Sequence, residues 1–100
     1  MAKAAMRLGD VGGGVTIWKD GAELALVELP IAGLMSDRPA TEVAARVTEL
    51  IDAMVACGCT LNNAYMQHSL LALVVIPELR ISDLGLVDVR TFQLTDVIVP

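Results

Sequence analysis

The sequence predicts a small two-layer α+β domain, and three observations carry that prediction. Asp20-Gly21 separates two β-prone runs, apolar residues recur at helical spacing after Pro39, and short extended segments broken by Pro77 and by Asp83-Leu84-Gly85 fill the C-terminal part. Together they give an N-terminal β-hairpin, one long amphipathic helix, a shorter second helix and C-terminal short strands. At 100 residues the chain is expected to form a single domain, because a chain of that size buries roughly two thirds of its unfolded surface and builds one modest core.

Taken in order, residues 2–11 read as a short helix with Ala5, Leu8 and Val11 on one side, stopped by Gly12-Gly13-Gly14. The pattern begins without a capping residue, as though Met1 stood inside a longer parent helix. The glycine triplet invites a phosphate-loop reading, but such loops follow a strand and open a helix, so that backbone N–H groups face the anion. Here a helix comes first and a strand follows, which makes the triplet a connector.

Residues 15–19 and 22–29 flank Asp20-Gly21, and an Asp-Gly pair in that setting is the strongest short-range hairpin signal because both turn positions need positive φ. In the second strand Leu24 and Leu26 share one face and Ala25 and Val27 the other, so cover on both sides is expected. After Pro39, the residues Val43, Val47, Leu50, Ile51 and Met54 fall at i, i+4, i+7, i+8 and i+11 of a helix. Asp37 stands where it could cap that helix, Glu42 and Arg46 are spaced to pair on its solvated face, and Gly58 is placed to end it.

Asn62 or Asn63 then caps a second helix running to about Leu73, with Met66, Ser69, Leu70 and Leu73 on one stripe. Pro77 closes whatever precedes it and pushes Ile76 toward extended backbone. Residues 79–82, a turn at 83–85, residues 86–89 and residues 91–99 read as short strands or extended segments.

Composition limits the function classes. A formal charge of −5, a pI near 4.5 and only seven basic residues argue against nucleic acid or an anionic membrane as partner, since phosphate binding needs clustered Lys and Arg. The longest apolar run, residues 70–76, is far short of the roughly 20 residues that span a bilayer. Lys3 and Arg7 are not followed by the apolar stretch of a signal peptide, so a cytoplasmic location is expected. The 55% hydrophobic content, with eight Gly beside it and only 3% aromatic residues, exceeds what a free-standing domain usually carries. One face is therefore expected to pack against something outside this sequence.

No catalytic set emerges from the residues alone. A metal centre needs several His, Cys or carboxylate ligands converging on one ion, whereas the chain has one His and two Cys, and Cys57-Gly58-Cys59 has a one-residue gap with no second pair to complete a tetrahedron. His68 lies about 200° around the helix from Met66, which turns it toward solvent or a partner. There is no Gly-x-Ser-x-Gly elbow. Of the carboxylates in distinctive settings, Asp37, Glu78, Asp83 and Asp88, the first and third have ordinary jobs as a cap and a turn residue.

Several segments, taken together, resemble the C-terminal domain of the bacterial and archaeal adenine deaminases. Gly12-Gly13-Gly14 with a strand and Asp20-Gly21 precede Glu28-Leu29-Pro30-Ile31-Ala32-Gly33-Leu34-Met35-Ser36-Asp37-Arg38-Pro39. Gly58-Cys59-Thr60-Leu61, Met66, Ser69, Leu71-Ala72-Leu73, Val75-Ile76-Pro77-Glu78-Leu79 and Gly85-Leu86-Val87-Asp88-Val89 complete the match in order and spacing. Departures concentrate in one place: Gln67-His68 stand where the family usually shows Thr-Leu, Ala64 and Val74 where it often has prolines, and Leu70 where Phe is common.

The resemblance implies a hydrolytic deaminase of the amidohydrolase type serving purine salvage, converting adenine and water to hypoxanthine and ammonia with divalent iron or manganese held in a TIM-like barrel. Such a barrel needs roughly 200 residues or more, so no catalytic residue, metal ligand or cofactor is expected in this chain. Its implied partner is the catalytic barrel, and homo-oligomerisation is expected. Ser36, Asp37, Arg38, Met66, His68 and Ser69 are the residues expected to approach the substrate site or the domain interface. The alternative is a stand-alone non-enzymatic module that self-associates or binds a protein or purine.

Overall fold

The computed structural model describes residues 1–98. The chain separates into two compact units, Met1–Asn62 and Asn63–Pro100. The first contains helix α1 (Ala2–Asp10), strands β1 (Gly14–Lys19) and β2 (Ala22–Glu28) and helix α2 (Ala40–Ala56). The second contains helix α3 (Ala64–Ser69), a 3₁₀ turn (Leu70–Ala72) and strands β3 (Leu79–Ser82), β4 (Gly85–Asp88) and β5 (Gln93–Leu94). The α+β reading of the sequence stands.

The hairpin forms where Asp20-Gly21 places it, with φ of 53° and 83° at the two turn residues, and β1 and β2 pair antiparallel. One feature departs from simple alternation. Ile17 pairs with Ala25 but Trp18 pairs with Glu23, so Leu24 is an extra residue in β2. Such a bulge re-aims the side chains on one side of it. Leu24 consequently stands exposed, while Ala25, Val27 and Leu29 are buried and Leu26 is half-buried. The expectation of cover on both faces fails at Leu24 for that reason.

Helix α2 supplies the other half of this core. Leu50, Ala53 and Met54 are buried, and Val43, Val47 and Ile51 are half-buried, which is the stripe expected from the sequence. Leu50 and Val27 are the largest fully buried side chains among the described residues, each contributing about 1.5–3 kcal/mol by its removal from water. Pro39 occupies the N-cap position with extended backbone and no side-chain cap bond is made; Asp37 lies two residues too early for the role predicted for it. At the other end the N–H groups of Gly58 and Cys59 bond to Val55 O and Met54 O, with Gly58 at φ 93°. That is the glycine stop the sequence predicted.

Helix α1 ends in the same hydrogen-bond pattern, Gly12 N–H to Gly9 O and Gly13 N–H to Leu8 O. Its covered side is Ala4, Leu8 and Val11, all half-buried, and not Ala5, which is exposed; Ala4 and Leu8, four apart, share a face more closely than Ala5 and Leu8.

In the second unit Asn63 takes the N-cap position of α3 in left-handed backbone and makes no side-chain cap bond to the helix. The helix runs only six residues before tightening into the 3₁₀ turn. Three residues per turn break the 3.6-residue spacing on which the predicted stripe depended, and Met66, Leu70 and Leu73 are exposed. Ala64 and Val89 are buried. Strands β3, β4 and β5 form an antiparallel sheet in chain order, with Ile81 opposite Leu86 and Val87 opposite Leu94. The strand expected over residues 91–99 shrinks to two residues, and its last position, Val99, lies outside the described residues.

Candidate functional site

The glycine triplet does more than connect α1 to β1. Leu29 N–H donates to Gly13 O at 3.0 Å, and a Cβ on Gly13 would lie 2.8 Å from Gly33 Cα and 3.1 Å from Leu29 O. With φ at 125°, only glycine lets the two backbones approach this closely. The chain leaving β2 is thereby pinned against the start of β1.

Beyond that brace residues 31–35 close a tight loop. Met35 N–H donates to Ile31 O at 3.1 Å and Ile31 N–H to Met35 O at 3.1 Å, while Ala32 and Gly33 both take left-handed backbone, φ 56° and 70°. Ile31, Leu34 and Met35 are exposed. Ser36 follows, half-buried, its Oγ accepting the Arg38 N–H at 3.2 Å. Arg38 Nε lies 3.9 Å from Asp37 Oδ1, with both side chains in solvent. Local hydrogen bonds therefore set the direction of this turn.

Ser36 and Arg38 line a cleft of about 370 Å³ whose walls are β2 and the residues Glu42, Val43, Arg46 and Glu49 of α2. Its walls carry both charges. Arg7 Nε donates to Glu23 Oε2 at 3.2 Å and its Nη2 lies 4.0 Å from Glu28 Oε1. Glu23 and Glu28 are five residues apart, which strict alternation would put on opposite faces; the extra residue at Leu24 lets one arginine reach both. On α2, Arg46 Nη1 donates to Glu49 Oε2 at 2.9 Å. The short partner of Arg46 is thus Glu49, three residues on, and not Glu42 as the spacing suggested. The Glu49 hydrogen bond and charge, with smaller contributions from Glu42 and Glu28, hold the Arg46 guanidinium above its ordinary value. The helical spacing of Glu42, Arg46 and Glu49 was a visible signal; the joining of Arg7, Glu23 and Glu28 depends on the bulge and was not.

In the second unit the predicted residues Met66, His68 and Ser69 all belong to α3. Ser69 Oγ donates to Met66 O at 2.7 Å and lies 3.8 Å from Met66 Sδ. Met66 and His68 are exposed and Ser69 is half-buried. A serine hydroxyl committed to a backbone carbonyl within its own helix is not activated by a base, so the group suits contact better than nucleophilic chemistry. Further along, Asp88 accepts from Arg90 N at 2.9 Å and from Arg90 Nη2 at 3.1 Å. Hydrogen bonding from the Arg90 side chain, ahead of its backbone bond and charge, holds the Asp88 carboxyl below its ordinary value, and the same pair raises Arg90. Arg80 folds back on its own strand, donating to Leu79 O and Pro77 O.

The residues present do not fit a catalytic metal centre. Among the described residues no three His, Cys, Asp or Glu side chains converge. Cys57 and Cys59 are free thiols at the C-terminal end of α2. Among the described residues no helix is long and apolar enough to cross a membrane.

Comparison with known proteins gives a consistent picture. The family described as the adenine deaminase C-terminal domain matches residues 1–93, a span that includes residues of both units. Adenine deaminase 1 of Jannaschia sp. (strain CCS1) is 85% identical over 98 residues, covering 98% of this chain and 16% of that protein. The adenine deaminase of Ruegeria pomeroyi (strain ATCC 700808 / DSM 15171 / DSS-3) is 75% identical over 100 residues, covering 100% of this chain and 17% of that protein. In Moorella thermoacetica (strain ATCC 39073 / JCM 9320) a protein of the same name is 49% identical over 98 residues. The chain thus spans only 16–17% of the length of these relatives. No solved structure matches it.

Proposed function

This chain belongs to the adenine deaminase C-terminal domain family, and on that premise we propose that it is the accessory C-terminal part of an enzyme converting adenine and water to hypoxanthine and ammonia. Both units together make up that one domain, which packs on a metal-dependent barrel and helps to close it. Alone it is inactive.

The observation that carries this reading is the apolar surface left in water. Ile81 is 81% exposed and Phe92 70% exposed, while the buried hydrophobic set among the described residues is eight side chains, five of them Ala or Val. A chain with 55% hydrophobic residues and so small a core is expected to cover the remainder against a partner. We read that partner as the remaining part of a deaminase, since this chain covers only 16–17% of the relatives named adenine deaminase.

A divalent metal in the barrel, manganese or iron, would supply the activated water that hydrolytic deamination requires. The part given to this chain is different. Its apolar side chains exclude water from the edge of the site, and Ser36, Asp37, Arg38 and the group Met66, His68 and Ser69 stand at the interface or at the mouth of the substrate site. The parent enzyme is cytoplasmic and assembles as a homo-oligomer on this reading.

Hydrogen exchange tests the packing. Residues 79–98, compared between the isolated chain and a full-length enzyme carrying it, should exchange more slowly in the full-length protein. Equal exchange in both would contradict the proposal, and slowing in the isolated chain that grows with its concentration would favour the self-associating module instead.

A further inference from the structure

Loops that expose several large apolar side chains are usually mobile, because nothing fixes their backbone. Residues 31–35 combine exposure with a fixed backbone. Leu34 is 74% and Met35 60% exposed, yet their loop is closed by reciprocal Ile31 and Met35 hydrogen bonds. Gly33 at its centre and Leu29 just before it lie close against Gly13. Ala32 sits at φ 56°, a backbone state that costs an L-residue and persists only where the surroundings enforce it. Sequence and fold together therefore hold an apolar tip in water in one conformation.

We infer that Leu34 and Met35 form a preformed plug that seats in an apolar pocket of the remaining polypeptide of the parent deaminase, with Ser36, Asp37 and Arg38 at its polar rim. The inference rests on the reading that this chain is the accessory part of such an enzyme. Four features favour that occupant. The relatives carry more than four fifths of their length outside the region matched here, so a partner in the same chain is present at high effective concentration. A backbone ordered before contact avoids the entropy of ordering on binding. Met35 adds a flexible, polarizable side chain that adapts to an irregular pocket, and the rim of Ser36, Asp37 and Arg38 matches the polar border that surrounds apolar anchors at interfaces.

Methionine oxidation reads this directly. The full-length enzyme and the isolated chain are treated with dilute hydrogen peroxide, and sulfoxide at Met35 and at the exposed Met6 is followed by peptide mass spectrometry. Met35 should oxidise at least tenfold more slowly in the full-length enzyme. Leu34→Gln in the full-length enzyme should restore at least threefold of that rate while leaving the urea midpoint of the isolated chain unchanged. Equal Met35 oxidation in both proteins, with Ile81 and Phe92 protected from carbene labelling only in the full-length enzyme, would overturn the plug and leave the accessory reading standing. Equal Met35 oxidation with Ile81 and Phe92 labelled alike would overturn both. Protection that grows with concentration of the isolated chain would overturn the plug in favour of a second copy as occupant.

Discussion

Replacing Gly13 by alanine should be among the most damaging single-methyl additions in the first unit, and three glycines make the comparison a controlled one. At Gly13 the new Cβ would sit 2.8 Å from Gly33 Cα and 3.1 Å from Leu29 O, at φ 125°. Both neighbours are backbone, so neither can swing aside. The conformational penalty alone is about 1–3 kcal/mol, and displacement of the braced strand adds to it, for an expected loss of at least about 2 kcal/mol. At Gly58, where φ is 93° but no atom lies within 4 Å of the added Cβ, only the backbone penalty applies, about 1 kcal/mol. At Gly9, exposed in the last turn of α1 with open space around its Cβ, alanine should stabilise by about 0.5 kcal/mol through helix propensity. Urea unfolding followed by fluorescence of Trp18, whose indole N–H donates to Thr16 Oγ1 at 3.0 Å, measures all three. With a slope of about 1 kcal/mol/M, the Gly13 variant should lose about 2 M in midpoint. A Gly13→Ala midpoint within 0.5 M of the parent chain, or equal to that of Gly58→Ala, would refute the brace.

Leu50→Ala, at a fully buried position, should cost about 2–5 kcal/mol in the same assay, whereas Leu34→Ala at the exposed tip should stay within about 0.5 kcal/mol. Asp88 titrates below its ordinary 3.8 because Arg90 bonds its charged form; its contribution to stability is full above that ordinary value and is lost as pH falls through and below it. Exchange of the Arg90 amide, which Asp88 Oδ1 accepts, should therefore accelerate relative to neighbouring amides on acidification, and Asp88→Asn should remove that pH dependence. In a full-length enzyme, alanine at Ser36, Arg38 or His68 should lower kcat/KM for adenine by threefold or more without moving the melting temperature of the isolated chain; unchanged kinetics would remove these residues from the interface or site.

The parts of the fold legible in the sequence are those fixed by neighbours in the chain. Asp20-Gly21 announced a turn that needs two positive φ values, and the spacing from Val43 to Met54 announced the buried stripe of α2. What could not be read depended on single-residue events. The extra residue at Leu24 turned that side chain outward and brought Glu23 and Glu28 to one arginine. The 3₁₀ tightening after Ser69 dissolved the stripe through Met66, Leu70 and Leu73. Pro39 took the N-cap position that Asp37 was expected to serve from two residues earlier. Of the candidate site, Ser36 to Arg38 was reached through family resemblance, not local chemistry. The backbone contact between Gly13 and Gly33 has no sequence signal beyond the presence of both glycines.

The central claim is that this chain contributes packing, not chemistry, to adenine deamination. The most direct measurement compares hypoxanthine formation, at matched manganese or iron loading, by three proteins: a full-length enzyme, the same enzyme lacking the region of this chain, and the chain itself. The account predicts no turnover by the chain and at least a tenfold loss of kcat/KM in the shortened enzyme. Turnover by the chain at the full-length rate, or an undiminished kcat/KM without it, would contradict the account.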